Sequence, residues 1–220
     1  MSILQSKHLN DWPLFYWIAG TISLAVSGYM TTQDLTVPGG VSEMIQCTVR
    51  LSVPFLFLAF AASSMAKLIP TAFCKWLMRN RRYFGLGFAS GFAWQLFFIL
   101  WLAIGHPDYF DEEVFTGVED LIIYQLGPYT FLTAMTITSF HPVRRKMNQR
   151  AWKALHWVGI YWLWYVVELT YWYEVSYSED RQIIDYIYVS AGLLAYLLRV
   201  TARIRWGVVW LNKGAGGGIL

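Results

Sequence analysis

From Tyr83 to Ile104 the chain carries no charged residue. A helix apolar on every face belongs either in the core of a large protein or in lipid. This one is long enough to cross the ~30 Å hydrocarbon core of a bilayer, which takes about 20 residues. Five more stretches resemble it: Trp12 to Met30, about Cys47 to Pro70, Leu121 to Phe140, Ala154 to Tyr173 and about Ile183 to Val200. The second has Lys67 near its end, the fourth carries Pro128 as an expected kink, and the fifth holds one charge, Glu168. Asp185 and Arg199 limit the apolar length of the sixth. Membrane-barrel strands alternate with period two over about 10 residues, whereas these runs are continuous. The expected fold is therefore all-α: a single domain over 1–220, an integral membrane bundle of six helices.

Composition agrees. Of the 220 residues 56% are apolar and 14% charged, against about 25% charged in a soluble domain. A soluble core of this size has no room for that much apolar surface. Net charge is only +3, and the basic clusters have a topological role, so no nucleic-acid partner is expected. The first helix is expected to be retained: its apolar run is too long for a signal peptide, and no small-x-small cleavage site follows before Asp34.

Lys and Arg orient the bundle. Lys75, Arg79, Arg81 and Arg82 occupy the loop 71–82. Arg144, Arg145, Lys146, Arg150 and Lys153 occupy 141–153, and Arg199, Arg203, Arg205 and Lys213 the C-terminal end. With Lys7 these are 14 of the 17 basic residues. Twelve of the 14 acids fall in the alternate segments: Asp34 and Glu43, then Asp108 to Asp120, then Glu174 to Asp185. That alternation predicts six crossings, both termini cytoplasmic, and residence in a bacterial inner membrane.

Cys47 and Cys74 fall at opposite faces, so they are expected to be apolar fillers without a mutual bridge. The tail from Lys213 through Gly218 reads as flexible. There is no internal repeat and no soluble domain. No loop is long enough for a flavin or nicotinamide fold, so an electron-transfer role requires a partner protein, and the chain alone is not expected to be an enzyme.

Three motifs carry a resemblance. Arg81-Arg82-Tyr83-Phe84-Gly85-Leu86 opens the third segment, Thr138-Ser139 closes the fourth, and Trp152-Lys153-Ala154-Leu155-His156 with Tyr161 opens the fifth. In order and spacing they resemble the ferric-reductase-like transmembrane family, which includes the haem-binding membrane subunit of the periplasmic methionine-sulfoxide reductase. The resemblance covers about Arg50 to Tyr173. It implies a six-helix cytochrome b fold with haem b held by histidines between the third and fifth helices.

This sequence departs from that pattern at the ligands. Where the third-helix histidine is implied stands Gln95, and where the second fifth-helix histidine is implied stands Leu169, beside Glu168. Only His156 is kept. At 1.5 Å rise per residue, Gln95 lies roughly 20 Å from Arg82 and positions 168–169 roughly 23 Å from Lys153, whereas His156 lies about 5 Å inside Lys153. Gln95 and His156 thus cannot grip one iron, and the deep site would need 95 and 168–169. Gln is a poor axial ligand, so Gln95, Glu168 and Leu169 are expected to mark a vacated haem site. A buried acid in a membrane helix needs a partner or a proton. A hydrogen bond between Gln95 and Glu168 is one expectation, and Glu168 facing a neighbour without Gln95 is the other.

His156 is the one cofactor-binding candidate, as ligand of an inner haem, with His141 able to join it only if the 141–153 loop folds back. The alternative is an interfacial histidine bonded to loop carbonyls or lipid phosphate. His8 and His106 lie on opposite sides, and no Cys/His cluster has zinc spacing. Trp157 and Trp172 suit the aromatic belts, while Trp162 to Tyr165 lie deeper: they are expected to pack against other helices or lipid, in volume that haem occupies in the family, and the alternative is that they face a partner or a pigment. Gly87 and Gly91, with Ala89 and Ser90, give the third helix a small face for close packing.

Three functional readings follow. The first is a haem-less or haem-poor accessory or structural membrane subunit, without a cofactor, for a membrane or periplasmic protein partner. The second, implied by the resemblance if haem b is retained, is transmembrane electron transfer from quinone or flavin to a periplasmic oxidoreductase. The third is a proton or small-solute pathway around Glu168.

Overall fold

The computed structural model describes residues 3–113, 126–179 and 181–215. Two short 3-10 turns, Ile3–Gln5 and Lys7–Leu9, precede eight helices among the described residues: α1 (Asp11–Met30), α2 (Pro38–Leu68), α3 (Ala72–Gly105), α4 (Pro107–Glu113), α5 (Gly127–Ser139), α6 (His141–Lys146), α7 (Gln149–Tyr177) and α8 (Ile183–Ala215). No strand occurs among those residues. Glu119, Asp120, Asp180, the start of the fourth expected segment and the last glycines lie outside them.

Among the described residues three helices are long and apolar enough to cross a membrane: Pro38–Leu68, Ala72–Gly105 and Ile183–Arg205. α1 has the expected bounds, but its Trp and Tyr residues score as weakly polar on a hydropathy scale, as do those of α7.

Several helices outrun their apolar cores. α2 begins at Pro38 rather than near Cys47, because proline suits a first helical turn, where its missing N–H would go unused anyway. The preceding turn is set by Asp34, whose carboxylate accepts from the Thr36 amide (2.9 Å) and hydroxyl (2.6 Å). These two bonds hold its pKa below the ordinary carboxylate range. α3 begins at Ala72, capped by the Thr71 hydroxyl accepting from the Cys74 amide at 3.3 Å. The basic loop 71–82 is thus the first turns of a helix. In the second basic loop, Asn148 caps α7 by accepting from the Arg150 amide at 2.7 Å. α8 continues to Ala215, so the tail expected to be flexible from Lys213 begins as helix. Pro128 sits in the first described turn of α5, and the part of the fourth expected segment before it lies outside the described residues, whereas Pro54 lies inside α2.

α2 and α3 pack against each other along much of their length, and the small face of α3 makes that possible. A Cβ on Gly91 would collide with the Ser52 side chain of α2, 2.8 Å from its Cβ. A Cβ on Gly87 would strike Ile18 of α1. The N-terminal segment is fastened to the start of α3. Trp76 Nε1 donates to the Leu9 carbonyl (2.8 Å) and Arg79 Nη2 to Asn10 Oδ1 (2.8 Å). The fully buried Asn80 donates to Asn10 Oδ1 (2.9 Å) and accepts from the Asp11 amide (3.0 Å). Asp11 holds a positive φ of 59°, and the Asn80 bond secures this unfavourable conformation.

Candidate functional site

Two cavities lie at the levels picked out by the sequence. The smaller, about 340 Å³, surrounds Gln95 and is walled by Phe92, Tyr129, Val166, Val167, Thr170 and Tyr171. Gln95 is therefore level with that part of α7, as the rise per residue predicts. The hydrogen bond to Glu168 does not form. Gln95 Oε1 accepts instead from the Tyr129 hydroxyl at 3.0 Å. Successive helix residues are 100° apart, so Val166 and Val167 face Gln95 while Glu168 turns toward α2 and α8. A Cβ on Gly192 would meet the Glu168 carboxyl carbon at 2.9 Å and Phe57 at 3.0 Å. Neither carboxyl oxygen has a hydrogen-bond partner among the described residues. Leu169 is half-buried and lines neither cavity.

The deeper aromatics do not fill this space either. Trp164 stacks on Phe60 of α2 (centroids 5.6 Å) and Tyr196 of α8 (4.7 Å), and its Nε1 donates to the Gly192 carbonyl at 3.0 Å. Trp162 contacts Phe131 (6.1 Å). The aromatic side chains beside Gln95 are Phe92 and Tyr129, 6.0 Å apart, with Phe110 and Tyr171. Trp157 and Trp172 are half exposed, as belt residues would be.

The larger cavity, about 1070 Å³, lies where the three basic segments converge. Arg81 and Arg82 from α3, Arg144 from α6, Lys153 from α7 and Arg199 from α8 all line it. So do both His141 and His156: the short helix α6 folds the 141–153 segment back against α7. The three motifs that carry the family resemblance meet here. Thr138 Oγ1 and His156 Nε2 are 3.0 Å apart, Trp152 Nε1 donates to the Thr138 carbonyl (3.1 Å), and the Trp152 ring lies on the His156 ring at 4.4 Å. The Arg144 guanidinium sits over Trp152 at 4.3 Å.

Thr138 has one hydroxyl proton, directed to the Ala134 carbonyl at 2.7 Å. His156 Nε2 must then donate to Thr138, which leaves Nδ1 as the nitrogen with a free lone pair. Sequence reasoning picked out Thr138 and His156 separately but missed that they are partners. It also missed Tyr129, a hydroxyl with nothing local to mark it.

Haem fits the two levels differently. Around Gln95 the polar side chains are the amides of Gln46 and Gln95, the hydroxyls of Ser42 and Thr170 and the phenols of Tyr129 and Tyr171, with no histidine or cysteine, in a space at the low end of ligand pockets, about 300 Å³. That donor set does not suit haem iron. The basic cavity is at the upper end of that range and has two histidines in its wall. No group of three or more His, Cys, Asp or Glu able to hold a metal ion occurs among the described residues. No protein-family model, curated protein or solved structure matches the chain.

Proposed function

We propose that this chain is a haem-poor membrane subunit of the ferric-reductase-like type, with an accessory or structural role toward a membrane or periplasmic protein. In this reading the bundle crosses a bacterial inner membrane six times, with both termini and the basic cavity on the cytoplasmic side. The observation that carries it is the Gln95–Tyr129 hydrogen bond: the deep level at which the resemblance implies an iron ligand has its own internal partner. Apolar side chains exposed on many helices, Leu24, Leu100, Ile104 and Leu197 among them, support a lipid-facing surface.

One observation favours a second reading. His141 and His156 share the wall of the basic cavity, so haem b held there, with His156 as a ligand, would make the chain an electron-transfer subunit between quinone or flavin and a periplasmic oxidoreductase. Haem would supply one-electron chemistry. A reduced-minus-oxidised visible spectrum of detergent-purified protein separates the readings. The first expects protein recovered with membranes and no stoichiometric b-type signal. A stoichiometric signal that His156→Ala removes and Gln95→Leu leaves intact would replace it with the second.

A further inference from the structure

The basic cavity has a charge imbalance that its own residues do not correct. Its wall contains six Arg and Lys side chains and no Asp or Glu among the described residues. Arg79 is engaged by Asn10 and the Leu4 carbonyl, and Arg144 covers Trp152. Arg82 and Arg199 are not so satisfied. Arg82 Nε and Nη2 and Arg199 Nη1 are buried without a hydrogen-bond partner. Their guanidinium groups rest on aromatic faces, Arg82 over Trp12 at 5.4 Å and Arg199 over Phe60 at 4.2 Å. Such contacts attract a cation but offer its N–H groups only weak acceptors. With no ion pair to either arginine among the described residues, the wall keeps an excess of positive charge, which is costly in a partly buried site unless an anionic ligand offsets it.

The rest of the wall is apolar. Leu56 and Ala59 of α2, Leu132 of α5, and Ile160 and Leu163 of α7 run inward from the arginines. A small free anion would leave most of about 1070 Å³ unfilled. The matching ligand has an anionic head with several acceptor oxygens and a long apolar body. Basic pockets between membrane helices bind anionic lipid headgroups, and a phosphodiester gives guanidinium groups short, charge-assisted bonds.

We propose that this cavity is a binding site for one anionic glycerophospholipid. Its phosphate lies against the arginines of the wall, Arg82 and Arg199 among them, and an acyl chain lies along Leu56, Leu132 and Leu163. The inference rests on the reading that the bundle resides in a bilayer. It does not depend on the partner protein.

The test uses full-length protein, delipidated in an uncharged detergent. Its melting temperature is followed while phosphatidylglycerol, phosphatidylcholine or inorganic phosphate is added. Phosphatidylglycerol is expected to raise the melting temperature saturably, and the other two are not. Arg82→Gln and Arg199→Gln should each weaken the phosphatidylglycerol response about fivefold. Gly85 lines the cavity, and a Cβ there would meet nothing within 4 Å. Gly85→Phe should therefore occupy the space, keep the lipid-free melting temperature and abolish the response, which decides the matter if either arginine variant folds poorly. An equal response to phosphatidylcholine, an equal response to inorganic phosphate alone, or an undiminished response in Gly85→Phe would each overturn the proposal. Recovery of the protein in the soluble fraction of lysed cells would instead overturn the bilayer reading.

Discussion

Glu168 is a buried carboxyl placed against Gly192 and Phe57, with no hydrogen-bond partner for either oxygen. A polar group left unsatisfied in this way costs about 1–3 kcal/mol. Glu168→Met keeps an unbranched side chain of similar length and removes both oxygens. It should leave the melting temperature unchanged or raise it, by up to that amount in free energy. A clear fall would show that the carboxyl has a bonding partner in the membrane. Asn80 is the opposite case: buried, fully used, and responsible for holding Asp11 at its positive φ. Asn80→Ala should cost about 1–3 kcal/mol and loosen the N-terminal segment, read as faster amide exchange over the first ten residues. Tyr129→Phe should cost about 1 kcal/mol by leaving Gln95 Oε1 without its donor. At this scale the sequence was informative about which residues stand out and poor about their partners. The depth of Gln95 follows from counting residues. That Val166 and Val167 rather than Glu168 face it depends on how α7 is rotated, and an apolar helix carries too little polar patterning to fix that.

Among the elements, α3 shows most clearly what a sequence can reveal. Its uncharged stretch and its Gly87/Gly91 face predict a membrane-length helix with close neighbours, and both glycines do abut side chains of α1 and α2. Gly91→Val should destabilise the bundle severely, by about 3 kcal/mol or more, because the collision is with a helix-borne serine that has little room to move. Gly85→Val on the same helix should be nearly neutral, because its Cβ would enter open space. Comparing the two melting temperatures checks the packing, and equal losses would contradict it. Helix ends were less legible. Apolar length marks the part of a helix that lipid would cover, whereas Thr71, Pro38 and Asn148 decide where the backbone begins to coil. The basic segments thus became helical turns, and α6 placed His141 in the wall of the cavity that His156 also lines.

Over the whole molecule, residues from the three basic segments and the three resemblance motifs line one cavity, while the deep level around Gln95 is small and internally bonded. The common side of the basic segments could be read from the alternation of charge along the chain. The cavity could not, because its walls come from six helices whose rotations are set by packing. Six crossings and the accessory role remain proposals supported by that alternation and by the chemistry at Gln95. The most direct measurement is the reduced-minus-oxidised visible spectrum of the detergent-purified chain, with haem quantified per polypeptide. The account predicts no stoichiometric b-type haem in the wild-type protein. One haem per chain, lost in Gln95→Leu, would contradict it, because the deep level would then hold the iron that its residues are argued not to bind.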